Sequence, residues 1–141
     1  MLAMINITKE TSVSIDDVLH LYQAVGWTNY TNQPQMLEQS LDHSLAIYVA
    51  RDGEEIVGLV RLVGDGFSSV FVQDLIVLPS YQRQGIGGAL MKEALGDFKD
   101  AYQVQLVTDQ TEKTLGFYRS LGFETLSTFD CTGMIWLDRK K

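Results

Sequence analysis

The residues with the clearest chemical potential form a glycine-rich stretch, Gln82-Arg83-Gln84-Gly85-Ile86-Gly87-Gly88, which follows an apolar segment ending in Leu-Pro. Glycines let a backbone approach a ligand closely because they carry no Cβ. Apolar side chains then recur at a spacing of four, which predicts that a helix begins here. The free N–H groups at a helix start bind anions, and Arg83 adds a positive charge. The stretch therefore predicts a phosphate site.

Two common phosphate-binding motifs fit this stretch less well. A P-loop requires a Gly-Lys pair, which occurs nowhere in the chain, so that interpretation fails. A dinucleotide fingerprint would begin at Gly85 and Gly87 but meets Leu90 where a small residue is needed. Asp109 lies at a suitable distance for a ribose-binding acid, although we favour a capping box with Glu112 as its role. The dinucleotide interpretation is weakened but stays open.

The elements that would position this stretch follow from the chain in order. The pattern predicts a strand, two helices, an antiparallel meander of three strands, a helix and a fifth strand. The last strand of the meander is apolar throughout, which predicts that it is covered on both faces. A final helix precedes two further strands at residues 123–129 and 133–137, and residues 138–141 form a solvated end. The predicted fold is α/β (α+β), a single domain over residues 1–141 with a central mixed, mostly antiparallel sheet of about seven strands and about four helices.

Composition and charge restrict the class of protein. The 141 residues are 45% hydrophobic and 21% charged, as in an ordinary globular domain. The net charge of -7 argues against a nucleic acid partner and weakly favours an amine substrate. Without a long apolar run or a signal-peptide pattern, no membrane association is expected. The one cysteine, Cys131, favours a reducing, cytoplasmic location, and with two isolated histidines it predicts no metal site.

A second motif lies in residues 115–123, which read LGFYRSLGF. Together with the Q/R-x-x-G-x-G/A pattern at residues 82–87 and the strand between them, it makes the chain resemble the GNAT superfamily of acetyl-CoA-dependent N-acetyltransferases. The resemblance covers nearly the whole chain and is weakest in the first two helices. The segments LYQAVGW and VQDLIVLPSYQRQGIG are similar to a plant-chloroplast and bacterial group that includes amine and lysine acetyltransferases.

The resemblance implies that acetyl-CoA is the co-substrate. In GNAT folds strands four and five splay apart, so the pantetheine arm would bond to backbone groups of Leu75, Ile76 and Val77. Many members carry Asn where this chain has Thr111, and a threonine can still supply one hydrogen bond to the cofactor. Gln82 opens the pyrophosphate motif, whose backbone N–H groups belong to Arg83, Gln84, Gly85, Ile86, Gly87 and Gly88.

The resemblance also implies the groups that catalyse direct attack of a primary amine on the thioester. Tyr118 matches the family tyrosine often assigned as the general acid, since a phenol with a pKa of about 10 can donate a proton to a thiolate. A core aromatic role for Tyr118 stays open. Independently of the resemblance, Asp74 is our candidate base, because an acid within an apolar strand should be buried, with a shifted pKa, unless it meets a cation or water. A structural hydrogen-bonding role is the alternative for Asp74.

The acceptor side rests on fewer signals. Trp27 and Tyr30 lie in an unusually aromatic loop, where they would line a substrate pocket or fill a gap between two helices. Gln73 is an alternative pocket-facing residue, because neighbouring residues of a strand point in opposite directions. The expected acceptor is a small-molecule amine or a lysine side chain. A homodimer is common in the family and is a further expectation.

Three functions from different classes follow. The first is an N-acetyltransferase with no covalent enzyme intermediate. The second is a non-catalytic acyl-CoA-binding regulatory module, in which Tyr118 would be dispensable. The third, a dinucleotide-binding oxidoreductase, is disfavoured by Leu90 and by the antiparallel meander, and protection from thermal unfolding by CoA rather than NAD would separate it from the others.

Overall fold

The structure, a computed structural model, describes residues 4–137. The chain divides into two compact units, Met1–Val107 and Thr108–Lys141. The first unit contains the whole sheet, and the second contains one α-helix and a short 3₁₀ helix. The solvated end predicted at residues 138–141 lies outside the described part. Within that part, no helix has the length and apolar character needed to cross a membrane.

The sheet of the first unit has its strands in sequence order. Neighbouring strands are antiparallel except for the last pair, which is parallel. A two-residue turn containing Gly53, whose φ of 63° suits a glycine, joins the second and third strands as the Asp-Gly signal predicted. The strands are β1 (Ile5–Glu10), β2 (Ala46–Asp52), β3 (Glu55–Gly64), β4 (Ser69–Val77) and β5 (Gln103–Leu106).

The first and third α-helices begin where the sequence predicted. The Ser14 side chain accepts a hydrogen bond from the Asp16 N–H at the start of the first helix, and Pro34 occupies the first turn of the third. The predicted aromatic loop contains an additional short helix. The α-helices are α1 (Ile15–Ala24), α2 (Thr28–Thr31), α3 (Pro34–Asp42), α4 (Ile86–Asp97) and α5 (Glu112–Ser120), and the 3₁₀ helices are Pro79–Tyr81 and Leu126–Phe129.

The core of the first unit lies on both faces of β2 and β3. On one face, Ile47 and Val49 join a buried cluster with apolar residues of α1, α2 and α3. On the other face lies α4, which buries Leu90 and Met91. A Cβ at Gly58 of β3 would lie 3.2 Å from Leu90 Cδ1, so this glycine allows close packing of α4. The packing fixes the direction in which α4 presents its N-terminus.

The sheet differs from the prediction in the number of strands. The α/β architecture is confirmed, but the described residues form five strands and five α-helices rather than seven and four. The predicted strands at 123–129 and 133–137 were wrong, because residues 126–129 form a 3₁₀ helix and residues 130–137 have no regular structure. Met134 and Ile135 are 94% and 70% exposed, so apolar composition alone did not supply a pairing edge.

The burial of β4 also differs from the prediction. Alternate residues Val70, Val72, Asp74 and Ile76 are buried, whereas those between them are partly or fully exposed. The strands covered on both faces are β2 and β3, which lie between the two layers of helices. The exposed and partly exposed residues of β4 therefore leave parts of this strand available to a ligand.

Candidate functional site

The glycine-rich stretch forms the connection between β4 and α4. Arg83 and Gly85 have positive φ angles of 65° and 81°. Gly85 is the N-cap residue of α4, and no side-chain hydrogen bond caps the helix. The first amide bonded within the helix is that of Ala89, which donates to the Gly85 carbonyl at 3.0 Å. The preceding N–H groups, through Gly88, therefore have no acceptor within the helix.

These free amides are open to a ligand. A Cβ added at Gly85 or at Gly88 would meet no atom within 4 Å, so the helix start faces open space. Arg83 is exposed, and the N-terminus of a helix carries a partial positive charge. The Gln82 side chain donates to the Val77 carbonyl at 3.1 Å and braces the loop against the end of β4. The arrangement fits a diphosphate group.

The adjoining part of β4 has one edge without a strand partner. Strand β5 pairs only with Ser69–Val72, and the described residues place no strand beside the following part of that edge. The opposite edge of the same segment pairs with β3. Leu75, Ile76 and Val77, the residues predicted to contact the arm of acetyl-CoA, lie in this part of β4, beyond its pairing with β5.

Asp74 of β4 lies opposite Arg61 of β3, and the two form a buried ion pair. Arg61 Nε donates to Asp74 Oδ2 at 2.8 Å, and the side chains are 4% and 2% exposed. Tyr22 Oη donates to Oδ2 at 2.8 Å, and Tyr30 Oη donates to Oδ1 at 2.9 Å. We call Tyr22, Tyr30, Arg61 and Asp74 the buried polar cluster. Because three donors occupy its oxygens, the contacts of Asp74 favour the structural alternative over the role of base.

The two phenols and the guanidinium of the cluster each keep one protonation state near neutral pH. Burial raises the pKa of Tyr22 and of Tyr30, and the nearby Asp74 carboxylate raises both further. Burial lowers the pKa of Arg61, but the attraction of Asp74 outweighs it, and the net direction is upward. Both phenols therefore stay neutral and the guanidinium stays charged. The cluster therefore joins these groups by direct hydrogen bonds.

The predicted acceptor residues lie beside this cluster. Trp27 is partly buried, and its ring centroid lies 6.1 Å from that of Tyr22 and 6.3 Å from that of Tyr30. Gln73 is exposed, and its Nε2 lies 3.5 Å from Tyr30 Oη. The structure therefore brings Trp27, Tyr30 and Gln73 together, with the Tyr30 ring itself in the core.

The remaining predicted residues belong to the second unit. Tyr118 lies on α5, where its ring packs against Phe117 and Phe123 at centroid distances of 5.0 Å and 5.9 Å. Burial raises the pKa of Tyr118, and Asp109 raises it further. The phenol is therefore protonated at neutral pH, as a phenol ordinarily is.

Thr111 is the N-cap of α5, because its side chain accepts a hydrogen bond from the Thr114 N–H at 3.3 Å. Asp109 accepts from the Thr111 N–H and hydroxyl at 2.9 Å and 2.6 Å. The predicted capping box of Asp109 with Glu112 was therefore wrong in its residues. Asp109 instead holds the capping threonine in place.

Arg61 and Tyr22 are residues that the sequence interpretation missed. Arg61 is the one charged residue between Ile56 and Val63 of an otherwise apolar strand. Asp74 is likewise the one charged residue of β4. Opposite charges in adjacent apolar strands indicate a buried pair, because neither could be buried alone. That signal was available. Tyr22 gave none beyond its position on the apolar side of a helix.

Metal chemistry has no set of ligands in the described part of the chain. Residues 4–137 contain no group of three or more His, Cys, Asp or Glu side chains placed to hold an ion. The site consists of backbone amides, an open strand edge and the Asp74 carboxylate, which is paired with Arg61.

Comparison with known proteins agrees with this geometry. Residues 43–125 match the acetyltransferase (GNAT) domain. A GNAT-family acetyltransferase from Streptococcus pneumoniae is 72% identical with a TM-score of 0.90, over 97% of this chain and 100% of that one. The PaiA N-acetyltransferase of Thermoplasma acidophilum, solved with coenzyme A, shares the fold at 18% identity and a TM-score of 0.67, over 85% and 91% of the two chains.

A curated relative provides a more distant match. Serotonin N-acetyltransferase 2, chloroplastic, from Oryza sativa is 26% identical over 80% of this chain, which spans 58% of that relative's length. The match to the GNAT domain covers more than half of the chain and includes the open helix start, the strand edge and Tyr118. On this evidence the chain belongs to the family of GNAT acetyltransferase domains.

Proposed function

We propose that this protein is an N-acetyltransferase that transfers the acetyl group of acetyl-CoA directly to a primary amine. The observation that carries the proposal is the run of free amides from Gly85 to Gly88 at the uncapped start of α4. An enzyme of this family needs such a site for the pyrophosphate of its co-substrate. The relative solved with coenzyme A supports the same assignment.

The residues that would hold acetyl-CoA lie in the glycine-rich loop and in the part of β4 beyond its pairing with β5. Arg83, Gln84, Gly85, Ile86, Gly87 and Gly88 would bind the pyrophosphate, and Leu75, Ile76 and Val77 would bind the pantetheine arm. Gln82 supports the loop through Val77, and Thr111 is a further candidate contact. Acetyl-CoA supplies the activated thioester that a neutral amine attacks.

In this proposal Tyr118 holds the proton that the reaction requires at the leaving sulfur. Its Oη is protonated at neutral pH, as a phenol ordinarily is, and burial and Asp109 raise its pKa further. The proton that the attacking amine loses passes to solvent, since both oxygens of Asp74 already accept hydrogen bonds from Arg61, Tyr22 and Tyr30. Asp74 then acts by positioning its neighbours.

The acceptor amine would bind beside the buried polar cluster. Trp27, Tyr30 and Gln73 present an aromatic and amide surface, which suits an amine on an aromatic or aliphatic carrier. A small amine and a lysine side chain both fit this description. The cytoplasmic location and the homodimer stay predictions.

The test is thiol release from acetyl-CoA over a panel of arylalkylamines, polyamines, aminosugars and lysine peptides. Tyr118→Phe should lower kcat by about a hundredfold or more on the best amine, because a positioned proton donor contributes roughly that factor. Tyr102→Phe is the matched control, since Tyr102 is 81% exposed and lies outside the site. If the protein binds CoA tightly but acetylates no amine, the proposal of an enzyme is wrong and the acyl-CoA-binding regulatory module takes its place.

A further inference from the structure

The buried polar cluster connects more elements than an ion pair requires. Arg61 Nη2 donates to Tyr30 Oη at 3.2 Å, and Arg61 Nη1 donates to the Ser44 hydroxyl and the Ser40 carbonyl at 3.3 Å and 3.4 Å. With Tyr22 on α1 and Tyr30 on α2, the contacts tie three helical segments to β3 and β4. In the described part of the chain, no buried side-chain nitrogen or oxygen lacks a hydrogen-bond partner. The network is complete.

The cluster coincides with an irregularity in β4. Arg61 pairs with Asp74, but the next residue of β3, Leu62, pairs with Val72. Gln73 is thus the extra residue of a β-bulge, and its side chain is exposed. Bulges commonly redirect a side chain next to an active site. The ion pair holds the residue beside the bulge and so fixes where Gln73 points.

All three predicted acceptor residues contact this one network. Tyr30 is a member of it, Gln73 lies 3.5 Å from the Tyr30 hydroxyl, and Trp27 packs on the rings of Tyr22 and Tyr30. Tyr22 is completely buried and touches Asp74, so it reaches an acceptor only through its neighbours. A displacement within the cluster would therefore move the acceptor surface as a unit.

Stability alone does not explain such a cluster. Desolvation of two charges offsets much of their attraction, and apolar residues of similar volume often stabilise a fold as well as a buried ion pair does. An ion pair with directional hydrogen bonds does something that apolar packing does not, because it specifies the positions of particular atoms. Here those atoms are the Tyr30 hydroxyl and the backbone at Gln73.

We propose that Tyr22 and Arg61 are positioning residues that set the affinity for the acceptor amine. They act by holding Tyr30, Asp74 and the bulge at Gln73 in one arrangement. The inference rests on the proposed acetyltransferase function and assigns the acceptor side of that site to a network separate from the glycine-rich loop. Acetyl-CoA binding should therefore not depend on it.

The chain contains a matched pair of variants for the test. Tyr22 and Tyr48 are 0% and 1% exposed, and each donates its hydroxyl to one aspartate, Asp74 at 2.8 Å and Asp97 at 2.6 Å. Tyr22→Phe should raise the acceptor KM about fivefold, roughly the effect of one lost hydrogen bond, and leave kcat and the Kd for CoA at wild-type values. Tyr48→Phe removes the same group elsewhere and should leave the acceptor KM unchanged.

Arg61→Lys provides a graded second variant, because it keeps the charge and loses the planar fork that bonds Asp74, Tyr30 and Ser44 together. It should also raise the acceptor KM, with CoA affinity intact. The inference is wrong if the acceptor KM is unchanged in Tyr22→Phe, or if it changes equally in Tyr22→Phe and Tyr48→Phe. In either case turnover by the wild type would still support the proposed function. A wild-type protein that binds CoA and acetylates no amine would overturn both.

Discussion

The glycine-rich loop and the buried polar cluster belong to the same unit but are built in opposite ways. The loop offers backbone amides from consecutive residues, and its shape depends on local features, the positive φ angles of Arg83 and Gly85 and the start of α4. The cluster uses side chains only. Its hydrogen bonds join residues that are 13 to 52 positions apart in the chain.

This difference predicts how each part of the site responds to substitution. Substituting an exposed side chain in the loop removes no backbone amide, so the loop should be sensitive mainly to changes at its glycines. Each member of the cluster is hydrogen-bonded to the others in a dry environment, where removing one partner leaves another unsatisfied. The loop should therefore respond in ligand affinity, and the cluster in stability and acceptor affinity.

The largest expected effect tests the cluster. Arg61→Met leaves the Asp74 carboxylate buried without a cation, and we expect the free energy of unfolding to fall by about 3–5 kcal/mol. Arg51→Met is the control, because the Arg51 and Glu10 side chains are 32% and 25% exposed, whereas those of Arg61 and Asp74 are 4% and 2% exposed. That control should lose at most about 1 kcal/mol. Urea unfolding measures both, and equal losses would mean that burial does not distinguish the two pairs.

The next effect tests the loop. Gly85→Ala places a Cβ at a φ of 81°, which disfavours the native loop by about 1–2 kcal/mol and should weaken CoA binding about tenfold. Gly96→Ala lies on the same helix, α4, at a position without that backbone conformation and with open space around it. It should leave CoA affinity unchanged and stabilise the helix by about 1 kcal/mol. Isothermal titration with CoA is the measurement, and similar affinities for the two variants would contradict a role for the loop backbone.

The smallest effect concerns pH. Because the folded protein raises the pKa of Tyr22 above its unfolded value, the stability that depends on the neutral phenol is fully present below pH ~10 and is lost as the pH rises further. Tyr22→Phe should therefore show a shallower loss of stability between about pH 10 and 12 than the wild type. The variant will still lose some stability over this pH range, because the pKa values of Tyr30 and Tyr48 are also raised. Parallel curves for wild type and variant in alkaline urea titrations would exclude Tyr22 as a contributor.

Much of the fold followed from local signals in the sequence. Ser14 and Pro34 marked helix starts, Asp52-Gly53 marked a hairpin, and the glycines marked the start of α4. These signals work because each depends on the conformational preference of one or two residues. The prediction of the final two strands was wrong because a strand does not depend on local preference alone. A strand needs a partner edge, which composition does not provide.

The residues of the candidate site fall into the same two groups, those with a local signal in the sequence and those whose role depends on distant residues. Its amides and its glycines were predicted from a contiguous motif. Asp74 was singled out as an acid within an apolar strand, but its role as a hydrogen-bond acceptor depended on Arg61 and two tyrosines brought from elsewhere in the chain.

The sequence alone specified where a helix N-terminus with free backbone amides would lie, because backbone geometry at glycines is a local property. It also determined that β4 would carry a carboxylate among apolar residues. Only the tertiary structure decided what that carboxylate does. The register between β3 and β4 places Arg61 opposite Asp74, and the packing of α1 and α2 adds two phenols. Those contacts depend on strand register and helix packing, which arise from the whole core and not from any one segment.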